Sequence, residues 1–132
     1  MTSIVGSLKA IADEKTLALF NAIAAEGGNT DTLRKKASFS RKQYYMRIST
    51  LTKAGLIRRS NGVYSLTSLG KIVYSAQKLI GEGVENYWKL KAIDSIESSE
   101  HKNNTFSVQE RTQIMDSLIE TDSEIKDILL KS

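Results

Sequence analysis

The stretch SRKQYYMRISTLTKAGLIRRSNGVYSLTSLG, residues 40–70, predicts a capped helix followed by a hairpin. Ser40 and Gln43 have the spacing of a capping box, in which each side chain pairs with the backbone N–H of the other residue. Three apolar residues then recur at helical spacing: Tyr44, Ile48 and Leu51. The pattern predicts a helix over 40–54 with one buried face, which ends at Gly55.

The pair Asn61-Gly62 predicts the turn of a β-hairpin over 57–66, because both residues tolerate the positive φ angles of a type I′ turn. Counting outward from this turn gives four cross-strand pairs: Ser60 with Val63, Arg59 with Tyr64, Arg58 with Ser65, and Ile57 with Leu66. Cross-strand partners share a face. We therefore expect the pair of Ile57 and Leu66 to point inward and Arg58 to point outward.

Three helices are predicted before residue 40. The first, IVGSLKAIA, has four apolar residues on one face: Ile4, Val5, Leu8 and Ile11. The second begins after Asp13, an N-cap residue, ends at a Gly pair, and has four apolar residues at helical spacing: Leu17, Phe20, Ile23 and Ala24. The third lies in NTDTLRKKASF, is short and polar, and directs two residues inward: Leu33 and Ala37.

Acidic residues are absent between Asp31 and Glu82, a stretch of 50 residues with 11 Lys or Arg residues. Up to Leu66 the chain has 11 basic and 4 acidic residues, a net charge of +7, whereas the remainder has 8 and 11, a net charge of −3. A surface of one sign attracts a polyanion. Nucleic acid is therefore the first candidate partner and an anionic membrane the second, while an ordinary solvated face is the alternative.

The second half predicts amphipathic helices. Apolar residues keep helical register from Thr67 to about Ile96, although Gly81 and Gly83 weaken the middle of this long helix: Leu69, Ile72, Val73, Ala76, Ile80, Val84, Tyr87 and Trp88. Two further capping boxes, Ser107 with Glu110 and Thr121 with Glu124, predict two C-terminal helices. These carry Ile114, Met115, Leu118 and Ile119, and then Ile125, Ile128 and Leu129. A homodimer would bury this apolar surface; the alternative is a monomer whose terminal helices fold back.

Several classes of function are disfavoured by what the chain lacks. It has no Cys and one His, His101, so we expect no metal and no cofactor. The phosphate loop GxxxxGK[ST], the GxSxG elbow and the HExxH motif are absent, so we do not expect an enzyme. There is no signal-peptide pattern and no apolar stretch of ~20 residues, and we therefore expect a cytoplasmic protein without a membrane partner.

The order of helix, helix, polar-faced helix and basic hairpin in residues 8–70 resembles the winged helix-turn-helix transcription regulators, which include the arsenic-repressor and multiple-antibiotic-resistance-repressor families. The segments that carry the resemblance are LKAIA, LALFNAIAAEGG, SRKQYYMRISTLTKAGLI and NGVYSLTSLGK. The Tyr-Tyr pair and LTSLGKIVY are most similar to small archaeal single-domain regulators. The resemblance implies a mainly α fold with a small β-hairpin wing. A winged helix-turn-helix DNA-binding domain would occupy 1–70 and helical dimerisation segments 71–132. The metal ligands of the arsenic repressors are missing, so metal sensing is not implied.

On this resemblance the helix over 40–54 is a recognition helix that enters the major groove of double-stranded DNA. A carboxylate there would be repelled by the duplex, which accounts for the absence of acids. Arg47 suits guanine and Met46 a thymine methyl, whereas for Gln43 the helix cap and an adenine compete. The predicted DNA-binding residues are Lys35, Lys36, Arg41, Lys42, Gln43, Tyr45, Met46, Arg47, Ser49, Thr50, Arg58, Arg59 and Asn61.

Two alternatives concern the partner. A winged helix can serve as a protein-interaction adaptor in transcription or replication machinery. Such an adaptor would expose apolar anchors on the polar face of residues 41–50, where this chain is expected to expose two Arg and a Lys with only Met46 apolar. Tyr74, Tyr87 and Trp88 could line an effector pocket, although aromatic residues at helical spacing more often pack in a core or an interface. No effector is predicted.

Overall fold

Helices dominate the computed structural model, which describes residues 2–100, 108–119 and 124–131. Within these ranges the elements are α1 (Ile4–Ala10), α2 (Glu14–Glu26), α3 (Thr30–Ala37), α4 (Arg41–Lys53), β1 (Ile57–Ser60), β2 (Val63–Leu66), α5 (Ser68–Glu85), α6 (Tyr87–Glu100), α7 (Val108–Leu118) and α8 (Glu124–Lys131). The fold is mainly α with a two-stranded antiparallel hairpin, a layout compatible with a winged helix. The chain forms two compact units, Met1–Ala76 and Gln77–Ser132, and the division falls inside α5.

The core of the first unit collects one face from each of its main elements. The side chains without exposed surface are Leu19, Phe20, Leu33, Tyr44, Leu51 and Leu56. Asp13 caps α2, as the sequence predicts, by accepting a hydrogen bond from the Thr16 N–H at 3.0 Å. Leu33 of α3 is buried as expected, whereas the side chain of Ala37 lies outside the part that the structure describes.

The capping box at the start of α4 is confirmed. The Ser40 hydroxyl accepts from the Gln43 N–H and the Gln43 side-chain oxygen accepts from the Ser40 N–H, both at 3.2 Å. Tyr44, Ile48 and Leu51 are buried, as their spacing predicts. Because this face is fixed in the core, the opposite face of α4 is fixed toward solvent.

The hairpin has the predicted register, from Ile57 opposite Leu66 to Ser60 opposite Val63. Asn61 and Gly62 have φ angles of 54° and 77°, which are the positive values that a type I′ turn requires. The Tyr64 N–H also donates to the Gly28 carbonyl at 2.9 Å. This bond anchors the hairpin to the loop between α2 and α3.

The predicted inner face of α1 is wrong in three of its four residues. Ile4, Val5 and Leu8 are 81%, 61% and 50% exposed, whereas Ser7 and Ala10 are buried. The helix contacts the unit through its small side chains, which allow a closer approach than Leu or Ile would. Ile11, which follows the helix, is buried as predicted.

The single long helix predicted from Thr67 to Ile96 is two helices, α5 and α6, separated at Asn86. Helix α5 continues through Gly81 and Gly83, so the glycines do not end it. The Asn86 side-chain N–H donates to the Glu82 carbonyl at 2.8 Å, and the Asn86 backbone N–H reaches the same oxygen at 3.0 Å. At the interruption the Asn86 side chain therefore shares an acceptor with its own backbone N–H.

In the second unit, helices α6, α7 and α8 share a small core. Its buried residues are Ile93, Met115, Ile119 and Ile125, and Lys126 forms an ion pair with Asp116. The terminal helices therefore bury part of their apolar surface within the chain, as the fold-back alternative requires. Ser107 and Thr121, the predicted caps, lie outside the described residues, as does His101. Among the described residues, no helix has both the length and the apolar character needed to cross a membrane.

Candidate nucleic-acid interface

The outer face of α4, which we define as Arg41, Lys42, Tyr45, Met46, Ser49 and Thr50, lies opposite the buried face. All of these residues are exposed except Ser49, which is half-buried. Tyr45 and Met46 are 51% and 56% exposed, which leaves an aromatic and a thioether side chain among the cations. A helix that presents donors and apolar groups together has the chemistry of major-groove contact.

Two predicted residues of this helix have partners inside it. The Gln43 side-chain oxygen accepts from the Ser40 N–H in the helix cap. The amide that would contact an adenine is therefore occupied in this structure. The Thr50 hydroxyl donates to the Met46 carbonyl at 3.0 Å. Tyr45 stacks edge-on against the buried Tyr44, with ring centroids 5.4 Å apart. This contact restrains the Tyr45 ring on the surface.

Arg47 differs from its neighbours because its guanidinium is occupied. Nη1 donates to Asp13 Oδ2 at 2.5 Å and to Thr16 Oγ1 at 3.0 Å, and Cζ lies 5.5 Å from the Phe39 ring centroid. Only 18% of the Arg47 side chain is exposed. The predicted guanine contact by Arg47 stays a prediction, and it would require this side chain to leave three contacts.

The hairpin adds two exposed cations beside an exposed turn. Arg58 and Arg59 of β1 are both exposed, and Asn61 is exposed at the turn. The Arg59 guanidinium carbon lies 5.8 Å from the Tyr64 ring centroid, close enough for a cation–π contact. Arg58 is exposed and the preceding Ile57 is buried, as the register predicts.

The two predicted lysines of α3 have different environments. Lys35 is exposed, whereas Lys36 forms an ion pair with Glu26 across an exposed surface. An exposed pair of this kind contributes little to stability and leaves the lysine able to exchange partners. Arg34, which the sequence did not single out, has a buried Nε atom without a hydrogen-bond partner in the described part of the chain.

Asp13 is the functional candidate that sequence reasoning missed. It was predicted only as a cap, yet it also pairs with Arg47. The two residues are 34 positions apart, and no local spacing rule connects them. Its carboxylate lies outside the acid-free stretch, and so does that of Glu26, the partner of Lys36.

The aromatic residues considered for an effector pocket have ordinary packing or surface positions. Tyr74 packs edge-on against Phe20, with centroids 6.3 Å apart. Tyr87 and Trp88 form an exposed edge-on pair with centroids 5.2 Å apart. Within the described ranges, no group of three or more His, Asp or Glu side chains is arranged to hold a metal ion.

Comparison with the models of known protein families, with curated proteins and with solved structures finds no match.

Proposed function

We propose that the protein is a sequence-specific regulator of transcription that binds double-stranded DNA through a winged helix-turn-helix. Helix α4 would enter the major groove and the hairpin β1–β2 would lie on the backbone or in the minor groove. The observation that carries this proposal is the outer face of α4, which is exposed, cationic and free of carboxylates on a helix whose other face is locked in the core. A rigid element of this kind places side chains precisely.

The position of each residue indicates whether it would contact a base or a phosphate. Arg41 and Lys42 lie at the start of α4, and the N-terminal residues of a recognition helix are those that contact base edges. Met46 suits a thymine methyl, as an apolar group facing the groove. Arg58, Arg59 and Lys35 would contact phosphates, which fixes the register of the protein on the duplex without specifying sequence.

A homodimer is the second part of the proposal. Four exposed apolar residues of the second unit recur at three- or four-residue spacing, and we call them the apolar stripe: Ile80 (59% exposed), Val84 (69%), Tyr87 (50%) and Trp88 (79%). Gly81 and Gly83 lie beside them, and among the described residues a Cβ atom at either position would meet nothing within 4 Å. Packing against the described residues therefore does not explain these helix-weakening residues, whereas close approach of a second helix would.

A dimer of this type predicts the form of the DNA site. Two recognition helices related by a two-fold axis contact half-sites roughly 34 Å apart, or a multiple of that distance, and the target is a pseudo-palindrome. The adaptor alternative is favoured only by the exposure of Tyr45 and Met46, which could serve as apolar anchors for a protein partner. The exposed cations Arg41, Lys42, Arg58 and Arg59 favour DNA.

The test is selection of duplexes from a random library by the full chain, followed by titration of the selected and a scrambled duplex at several salt concentrations. We expect the logarithm of the affinity to fall linearly with the logarithm of the salt concentration, with a slope of about 0.9 per phosphate contact. Lys42→Ala should weaken binding to the selected duplex. Lys89→Ala removes the same charge from an exposed position of the second unit and should leave affinity unchanged. Failure to enrich any sequence, with no salt-dependent binding, would contradict the proposal.

A further inference from the structure

We propose that Arg47 is a positioning residue, which ties α4 to the start of α2 and thereby sets how the outer face of α4 is presented to DNA. This inference rests on the proposed DNA-binding function, and it differs from the sequence-based expectation that Arg47 contacts guanine. On this view the base contacts come from its exposed neighbours on α4.

The contacts of Arg47 join three parts of the first unit. Asp13 and Thr16 lie at the start of α2, and Phe39 lies in the turn between α3 and α4. The guanidinium thus connects the recognition helix to the element before it and to a core helix. Through these contacts Arg47 would restrict rotation of α4 about its own axis.

The burial of Arg47 argues against a direct base contact. Its side chain is 18% exposed, and its Nε atom is buried without a hydrogen-bond partner among the described residues. Arg41 and Lys42, by contrast, are exposed and make no ion pair in the described part of the chain. A cation that must first leave a carboxylate is a poorer base contact than one already in solvent.

Asp13 is suited to hold the guanidinium because it is itself fixed. Its Oδ2 atom accepts from the Thr16 N–H at 3.0 Å and from the Thr16 hydroxyl at 2.9 Å. These bonds, together with the Arg47 charge, hold the pKa of the Asp13 carboxyl below its ordinary value, so it is ionised at neutral pH. Thr16 is buried, so its bonds to Asp13 and Arg47 attach the pair to the core.

A double-mutant cycle tests the role of Arg47. Asp13→Asn keeps an N-cap side chain but removes the charge that holds Arg47; Arg47→Ala removes the guanidinium. If Arg47 is a positioning residue, each change lowers affinity for the selected duplex about tenfold, and the double variant is no weaker than either single variant. The salt slope stays unchanged, because no phosphate contact is lost. Arg47→Lys should restore part of the affinity.

Sequence preference separates positioning from base contact. Repeating the selection with Arg47→Ala should weaken the preference at every position of the half-site by a similar factor. Relaxation at one base pair alone, combined with unchanged or tighter binding by Asp13→Asn, would show that Arg47 contacts a base and would overturn the proposal. Thr16→Val provides a third variant in case either single change unfolds the protein.

The contact itself is observable without DNA. In an NMR spectrum of the full chain, the Thr16 amide and the Arg47 Nε–H should shift on Asp13→Asn, and the Thr16 amide should shift on Arg47→Ala. If these shifts occur and no duplex binds, the DNA-binding function fails while the link between α2 and α4 stands. If duplexes bind and these resonances do not move, the positioning role fails alone.

Discussion

Asp13 combines two roles at the residue scale, since it caps α2 and pairs with Arg47. Local rules predicted the first role, because an Asp immediately before an apolar repeat is a common helix start. They could not predict the second, because a contact over 34 positions depends on how α2 and α4 pack. Gln43 also has a role that local rules predict, because its spacing from Ser40 predicts the capping box that the structure shows.

The lowered pKa of Asp13 predicts a pH dependence of stability. Its pKa in the folded protein lies below the ordinary value of 3.8, so the folded state binds this proton more weakly than the unfolded state does. The stabilisation is therefore complete above about pH 5 and is lost as pH falls through the folded-state pKa. Thermal unfolding of the wild type and of Asp13→Asn from pH 2 to 7 should show a difference in Tm that is constant near neutrality and shrinks in acid. A difference that grows in acid would contradict this assignment.

Arg58→Ala should lower the affinity for DNA by an amount that does not depend on the DNA sequence. Arg58 is exposed on the hairpin and has no ion-pair partner in the described residues, so Arg58→Ala removes a cation without breaking a fold contact. Affinity for the selected and scrambled duplexes should fall by the same factor, and the salt slope should decrease by about one. Equal circular dichroism spectra provide the folding control. A loss confined to the selected duplex would instead place Arg58 at a base.

At the scale of elements, the hairpin and α4 followed the sequence closely because their determinants are local. The register follows from a two-residue turn, and the buried face of α4 follows from a period of 3.6 residues. The prediction for α1 was wrong because periodicity locates the apolar face of a helix but not the face that another element covers. Here Ser7 and Ala10 are covered, and Ile4 is exposed.

Replacement by Ala should have opposite effects on stability at two glycines of α5. A Cβ at Gly70 would clash with the Leu56 carbonyl oxygen, whereas a Cβ at Gly81 would meet none of the described residues within 4 Å. Gly70→Ala should therefore destabilise the protein by several kcal/mol, since the clash is with backbone. Gly81→Ala should stabilise the folded chain by about 0.5–1 kcal/mol, through the higher helix propensity of Ala.

Denaturant unfolding of the two glycine variants and the wild type measures both changes in the free energy of unfolding, a decrease for Gly70→Ala and an increase for Gly81→Ala. Dilute protein should be used for Gly81→Ala, so that any association does not mask its effect. Destabilisation of the dilute chain by Gly81→Ala would contradict the conclusion that there is open space for a side chain at this position.

At the scale of the whole molecule, the sequence indicated apolar surface in the second half but not its distribution. Ile93, Met115 and Ile119 are buried within the chain, while the apolar stripe is exposed. Periodicity assigned Met115, Ile119 and the apolar stripe to helix faces and did not single out Ile93. Only the tertiary structure separates those that pack inside the unit from those available to a second copy.

Trp88 allows the proposed dimer to be followed directly, because it is the single Trp of the chain and is 79% exposed. If the apolar stripe joins two copies, Trp88 emission should shift to shorter wavelength as concentration rises, in parallel with the mass from sedimentation equilibrium. Val84→Asp should abolish both changes, because it places a charge in the stripe. A chain that stays monomeric at tens of micromolar, with constant emission, would remove the dimer from the proposal.

The separation of charge between the two units has a further consequence for the approach to a duplex. The first unit has 12 basic and 4 acidic residues, a net charge of +8, and the second has 7 and 11, a net charge of −4. A polyanion pulls on the first unit and pushes on the second, so its field exerts a torque on a diffusing molecule before any contact forms. Encounters would then begin with the basic unit leading, and the association rate would exceed that of a molecule whose net charge of +4 was spread evenly. Salt shortens the range of this torque to the Debye length, about 10 Å at 0.1 M, so orientation before contact is the first advantage that rising ionic strength removes.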